Sequence, residues 1–322
     1  MTRRPWAALA GVLLLAVGVL VWLVLSAADD RDAPPPSTER VSGLTLLVVE
    51  TDTAPFGAVV GSTGDTHGAL VLPTEIQVTI PGQGDATLGE ALELPPRQAA
   101  TTVANVLGVW VDHHVVLGEE RLAAIVDGAG GITVGSDTRT GREVLSMLED
   151  AGAGAGSAFS LVLAGLLADV EWDPAVLGGS DSASSVAEAL DAARGANVSS
   201  IPSVQAAEGI FVSEPDAVRQ AIIDAFGGPD REVVRVIVLN GSGVPGVGEL
   251  VAERIVPGGF RIVVSENAAN FDHQETLVVV GSADDVGLGE RVRDLLGTGS
   301  VNVSLSSGIA PVTVVVGKDF TG

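Results

Sequence analysis

The feature that most constrains this chain is the run from Pro5 to Leu25, PWAALAGVLLLAVGVLVWLVL, which carries no charge. A helix rises about 1.5 Å per residue, and a bilayer core needs roughly 20 apolar residues. The run meets that length and predicts a transmembrane helix. Arg3 and Arg4 precede it, and Asp29 and Asp30 follow it. The positive-inside tendency keeps the short N-terminus in the cytoplasm and exports the rest. Trp6 and Trp22 stand near the two ends, at headgroup level. A cleaved signal peptide, with Leu25-Ser26-Ala27-Ala28 as the cleavage region, is the rival. Its apolar region is usually about 7–15 residues, shorter than this run. The expectation is a single-pass membrane protein with an extracytoplasmic C-terminal part.

Composition bounds that part. The formal net charge is −24, and Lys318 is the sole lysine. Such a chain cannot neutralise phosphates, which excludes nucleic acid as a partner. The same charge opposes adhesion to anionic lipid. There is no Cys, so disulfides and thiolate metal sites are excluded. Long Val, Ile, Leu and Ala runs after the anchor mark a globular rather than disordered region.

The chain divides into four parts. Residues 1–28 are the cytoplasmic tip and anchor. Residues 29–42 form a Pro-rich linker in which Pro34-Pro35-Pro36 favours an extended segment. Residues 43–230 form a first domain and 231–322 a second. In the first, Leu44–Glu50, Ala69–Leu72, Glu75–Ile80 and Ile132–Val134 read as strands. Arg97–Leu107, Leu117–Val126, Leu161–Val170, Val186–Arg194 and Asp216–Phe226 read as helices. This mixture fits an α/β layered domain. Gly152–Gly156 and Ser180–Ser185 read as loops. In the second, Val233–Leu239 is a strand, and a helix begins near Pro245 or Gly246, where Pro suits the first helical position. Gly258-Gly259 ends that helix. Phe260–Val264, Thr276–Val280, Val301–Leu305 and Val312–Val316 are further strands, with Ala283–Leu296 a helix. The order is β-α-β, β-α-β and a final strand, a small βαβ-type α/β domain.

Gly241-Ser242-Gly243-Val244-Pro245-Gly246 matches G-x-G-x-x-G between a strand and a helix, and Glu266 ends the next strand. That context is the one in which the pattern signals dinucleotide binding. Against it, the second domain is short for a full dinucleotide-binding sheet, and nicotinamide cofactors are scarce outside the cell. The favoured reading is a structural junction, with Gly241 or Gly243 at positive φ and no cofactor bound. His67, His113, His114 and His273 show no metal-ligand spacing. His113-His114, in VDHHVV, reads as an exposed turn or strand edge. Glu149-Asp150 reads as solvated charge. No Gly-x-Ser-x-Gly elbow occurs.

LPTEIQVTIPG at 72–82 resembles a stretch of the LytR-CpsA-Psr proteins, as does NVLGVWVDHHVVLGEERLAAIVDGAGGITV at 105–134. Gly209-Ile210-Phe211-Val212 and the helix after it are similar to the close of that family's domain. VIVLNGSGVPGVGELVAERI at 236–255 and VVVGKDF at 314–320 resemble the LytR C-terminal domain. The resemblance implies membrane-anchored envelope phosphotransferases, which use Mg²⁺ to move glycopolymers from a polyprenyl-pyrophosphate carrier onto the cell wall. Arg and Asp residues supply the charge stabilisation this chemistry needs.

The chain departs from the family at those positions. Thr74-Glu75 stands where the family has Arg-Asp, and Phe56–Val60 where an Arg-Ser-Asp segment is expected. Ala86-Thr87-Leu88-Gly89 replaces Lys-x-Asn, and the paired-Arg region reads GREVLSMLED at 141–150. Between residues 44 and 173 only Arg97, Arg121, Arg139 and Arg142 are basic. Losing one transition-state Arg can cost about 10³–10⁵ in rate. Glu75, Glu90 and Glu93 would repel pyrophosphate. The expectation is therefore a degenerate domain with no catalytic residues, no cofactor and no metal. It would act as an envelope scaffold for a polyprenyl-linked glycopolymer or another envelope protein. The alternative is a divergent transferase in which Arg97, Arg139 and Arg142 converge with Asp52 or Glu50 around Mg²⁺.

Overall fold

The computed structural model describes residues 43–322, apart from 64–65, 152–155, 178–182, 228–229, 231 and 305–307. The expected anchor at Pro5–Leu25, the linker and most of the two expected low-complexity loops lie outside the described residues. Among the described residues no helix is long and apolar enough to cross a membrane.

The first sheet begins with β1 (Thr45–Glu50), β2 (Pro55–Thr63) and β3 (Thr66–Leu72), paired antiparallel in sequence. A small hairpin, β4 (Gln77–Ile80) with β5 (Gly84–Thr87), leads into α1 (Leu88–Leu92) and α2 (Pro96–Leu107). Then β6 (His113–Gly118) pairs parallel with β1. After α3 (Glu119–Gly128) come the hairpin β7 (Ile132–Val134) and β8 (Asp137–Arg139), then α4 (Gly141–Ala151), α5 (Gly156–Asp169) and α6 (Ala183–Ala192). Strand β9 (Asn197–Ser200) pairs parallel with β3 and completes the order β6-β1-β2-β3-β9. Successive strand residues point to opposite faces. Leu44, Leu46 and Val48 thus enter one core with α1 and α2, while Leu47 and Val49 enter a second with α3 to α6. This is a sheet between two helical layers, the expected α/β class.

A hairpin of β10 (Val204–Ala207) and β11 (Ile210–Val212) precedes α7 (Pro215–Phe226). The second sheet contains β12 (Val234–Asn240), β13 (Phe260–Asn267), β14 (Leu277–Val280), β15 (Ser300–Val303) and β16 (Val312–Val316). Helices α8 (Val247–Ile255) and α9 (Val286–Leu296) cross between them. The order is β13-β12-β16-β14-β15, so the last strand inserts at the centre, parallel to β12 and antiparallel to β14.

The first core does not stop at the first sheet. It continues through α2 into Val236, Phe260, Ile262 and Val316 of the second. At the junction β13 is an edge strand, and α2 supplies what an edge lacks. Asn105, 1% exposed, accepts from the Ile262 N–H at 2.7 Å and donates to the Ile262 carbonyl at 2.8 Å. Its side-chain amide completes the edge as a neighbouring strand would. The Thr79 hydroxyl donates to the Val263 carbonyl at 3.2 Å, at the bulge where β13 slips against β12.

Two expected helix starts need correction. The helix read from Leu117 begins at Glu119, because Leu117 is a buried residue of β6. The segment Phe56–Val60 lies inside strand β2, and GREVLSMLED forms α4. The second-sheet helix starts at Val247, so Pro245 is not its first residue. Of the two glycines expected to take positive φ, Gly243 does (76°), and so does Gly246 (77°).

Candidate functional site

Strands β1, β3, β6 and β9 run in the same direction, so Glu50, Leu72, Gly118 and Ser200 end on one rim of the first sheet. In open α/β sheets this end is where ligands bind. Hydrogen bonds tie the loops of this rim down. The Thr51 hydroxyl donates to the Ala54 carbonyl at 2.9 Å, and the Asp52 N–H donates to Glu119 Oε1 at 2.6 Å. Thr74 accepts from the Gly89 N–H at 2.8 Å, while Glu75 is exposed. The Glu90 carboxylate is taken up by a capping box with Thr87, accepting from its N–H at 2.7 Å and its hydroxyl at 2.8 Å. Those bonds hold Glu90 below the usual carboxylate range, the backbone bond contributing most. The rim therefore presents Glu50, Asp52, Glu75 and Glu119.

The four arginines of this region go to separate places. Arg97, in the first turn of α2, forms a two-pronged pair with Glu253 of α8, both contacts 2.6 Å. That hydrogen-bonded carboxylate, with Glu249 behind it, raises the Arg97 pKa. Arg121 donates to the Leu177 carbonyl at 3.4 Å. Arg139 pairs with Asp137 at 3.0 Å. Arg142 is exposed on α4. The Gly141 N–H beside it donates to Asp127 at 2.7 Å, near the end of α3. Asp127 lies about 12 Å along that helix from Glu119. Arg97 belongs to the layer facing the second sheet, whereas α4 belongs to the opposite layer. The structure therefore does not bring Arg97, Arg139 and Arg142 together, nor does it set any of them against Asp52 or Glu50. Among the described residues no group of three or more His, Asp or Glu side chains is placed to hold a metal ion.

The G-x-G-x-x-G loop is built differently from a phosphate cradle. Asn240 Oδ1 accepts from the N–H groups of Ser242 (3.1 Å) and Gly243 (3.0 Å), and the Ser242 hydroxyl accepts from the Val244 N–H (3.1 Å). The Gly241 N–H donates to the Val316 carbonyl at 3.0 Å. A phosphate would need these donors free. The start of α8 is also covered. A Cβ on Gly248 would lie 2.5 Å from the Gly82 N atom, and the Gly82 N–H donates to the Ser265 hydroxyl at 2.7 Å. Asn105, Ser265 and Glu253 escaped the sequence reading, since their partners lie far away in sequence and no local pattern marks them.

Residues 233–320 match the family model described as LytR cell envelope-related transcriptional attenuator. The resemblance read at 236–255 and 314–320 thus extends over the whole second sheet. Among solved structures, the chain is similar to a LytR-Csp2A-Psr enzyme from Actinomyces oris: 14% identity, 61% of this chain and 93% of that one, TM-score 0.48. It is also similar to TagT from B. subtilis: 17% identity, 62% and 98% covered, TM-score 0.43. A third is the LytR-CPS2A-psr family protein TagT with bound octaprenyl pyrophosphate lipid: 16% identity, 62% and 95% covered, TM-score 0.44. No curated protein matches the chain.

Proposed function

We propose that this protein is a membrane-anchored component of the cell envelope and acts as a non-catalytic scaffold. Its C-terminal segment matches a cell-envelope family model, which supports the location. The uncharged run Pro5–Leu25, with arginines before it and aspartates after it, supports a cytoplasmic N-terminus and an exported remainder. On this topology, protease added to intact spheroplasts digests the exported part. Full protection of the chain around Lys318 would overturn it.

The observation that carries the scaffold reading is the dispersal of the arginines around an acidic rim. Transfer from a pyrophosphate needs converging positive charge, because positioning and charge stabilisation supply most of the catalysis. Here Arg97 is held by Glu253, Arg139 by Asp137 and Arg121 by a backbone carbonyl. The rim at Glu50, Asp52, Glu75 and Glu119 would repel a pyrophosphate. The partner in this reading is another envelope protein, or a polyprenyl-linked glycopolymer held through apolar contacts of its lipid, without turnover.

The test is an assay of the purified exported part with Mg²⁺ and a polyprenyl-pyrophosphate analogue. No phosphate above background is expected. Turnover that disappears in Arg139→Ala or Arg142→Ala would overturn the scaffold reading in favour of a divergent transferase.

A further inference from the structure

The first sheet ends at β9, and among the described residues the outer side of β9 pairs with no other strand. The Ile201 N–H donates to the Val71 carbonyl of β3 at 3.1 Å. Backbone groups in a strand point to alternate sides. The N–H and C=O groups of Val198 and Ser200 therefore face away from β3. Among the described residues no backbone group pairs with them, and β9 is the last strand in its sheet.

Helix α5 runs beside this edge and leaves a cleft of about 710 Å³ lined by Ser157, Ser160, Leu161, Ala164, Asn197 and Val198. Leu161 is 48% exposed, although the rest of the apolar face of α5 is buried. Sheet edges are normally guarded by a charge, a proline or a bulge. Shortness is a further guard, and β9 has only four residues, but Asn197-Val198-Ser199-Ser200 carries no charge or proline, and β9 pairs with β3 in unbroken register. No charged residue lines the cleft, on a chain of net charge −24.

We propose that this cleft takes an extended, uncharged stretch of polypeptide, which adds to β9 as a sixth strand. Its backbone pairs with Val198 and Ser200. Its alternate side chains, small or apolar, settle against Leu161 and Ala164. The occupant follows from the chemistry: two outward pairs of N–H and C=O groups at strand spacing are matched by another peptide backbone. An ionic side chain would lose its hydration against an uncharged wall.

A random nonapeptide display library panned against the full-length protein tests this. Peptides with uncharged central residues should be enriched. Synthetic copies should bind at least tenfold more weakly to Val198→Pro, which removes an outward N–H and leaves the bonds to β3 intact. Leu161→Glu should weaken binding by a similar factor by placing charge in the cleft. Circular dichroism of both variants should match the wild type, and Ser200→Pro provides a second edge variant if one misfolds. Failure to enrich any peptide, enrichment of charged peptides, or binding that all three variants leave unchanged would overturn the proposal. So would an edge-dependent dimer of this chain that binds no peptide.

Discussion

At the scale of single residues, Asp319 shows how one carboxylate closes a domain. Its Oδ1 accepts from the N–H and the hydroxyl of Thr276, both at 2.8 Å, and its Oδ2 accepts from the Thr298 hydroxyl at 2.7 Å. The Thr276 hydroxyl in turn accepts from the Gly317 N–H at 3.0 Å. One side chain thus ties the tail after β16 to the start of β14 and to the loop after α9. Burial pushes the Asp319 pKa up, but the hydrogen bonds from Thr298 and Thr276 outweigh it and hold the group below its ordinary 3.8. For a depressed carboxylate the sign is fixed. Its stabilisation is complete above the unfolded pKa and is lost as pH falls through the folded value. Asp319→Ala should destabilise the protein by about 2–4 kcal/mol at pH 7, because buried donors lose a charged acceptor. The difference in Tm between variant and wild type should narrow as pH falls below about 4. A difference that stays constant down to pH 2 would mean that the carboxylate charge contributes nothing.

At the scale of elements, glycines separate what a local pattern reveals from what it hides. Strand β1 and helix α2 were legible, since unbroken apolar runs and helical spacing need no knowledge of their neighbours. Strand β2 was not, because Gly57 and Gly61 interrupt its pattern. A Cβ at either would approach Leu92 or Leu44 to 2.8 Å, a constraint set by residues distant in sequence. The layered α/β class was legible for the same reason as β1. The insertion of β16 between β12 and β14 was not, because strand order is a matter of long-range pairing. In the candidate site, the scarcity of basic residues was visible in the sequence, while the capture of Arg97 by Glu253 was not. Two helical glycines give a test with opposite signs. Replacing glycine by alanine inside a helix normally stabilises by about 1 kcal/mol. Gly287 on α9 has nothing within 4 Å of its virtual Cβ, so Gly287→Ala should raise Tm. Gly248 on α8 has Gly82 backbone atoms at 2.5 and 2.6 Å, so Gly248→Ala should lower it. If both variants raise Tm in thermal melts, the turn at Gly82 does not rest on α8.

At the scale of the whole molecule, the two sheets share one core rather than standing as beads on a chain. A single apolar cluster runs from Leu44 and Val48 through Val103 and Leu107 of α2 to Val251, Phe260 and Val316. Polar contacts ring the junction: Asn105 on Ile262, Thr79 on Val263, Gly82 on Ser265 and Arg97 on Glu253. These contribute unequally. The Arg97 side chain is 72% exposed, and a pair of that kind is worth at most about 1 kcal/mol. Asn105 is buried, and truncating it leaves the Ile262 N–H and C=O without partners, at a cost of about 2–4 kcal/mol. The shared core predicts one cooperative unfolding transition in calorimetry, with both sheets melting together. Asn105→Ala should move that single transition to lower temperature, and Arg97→Ala should barely move it. A fragment of residues 231–322, which exposes the sides of α8 and β13 that α2 covers, should melt below the whole protein. Two resolved transitions, with Asn105→Ala affecting neither, would show that the sheets fold independently and that the junction is only a contact.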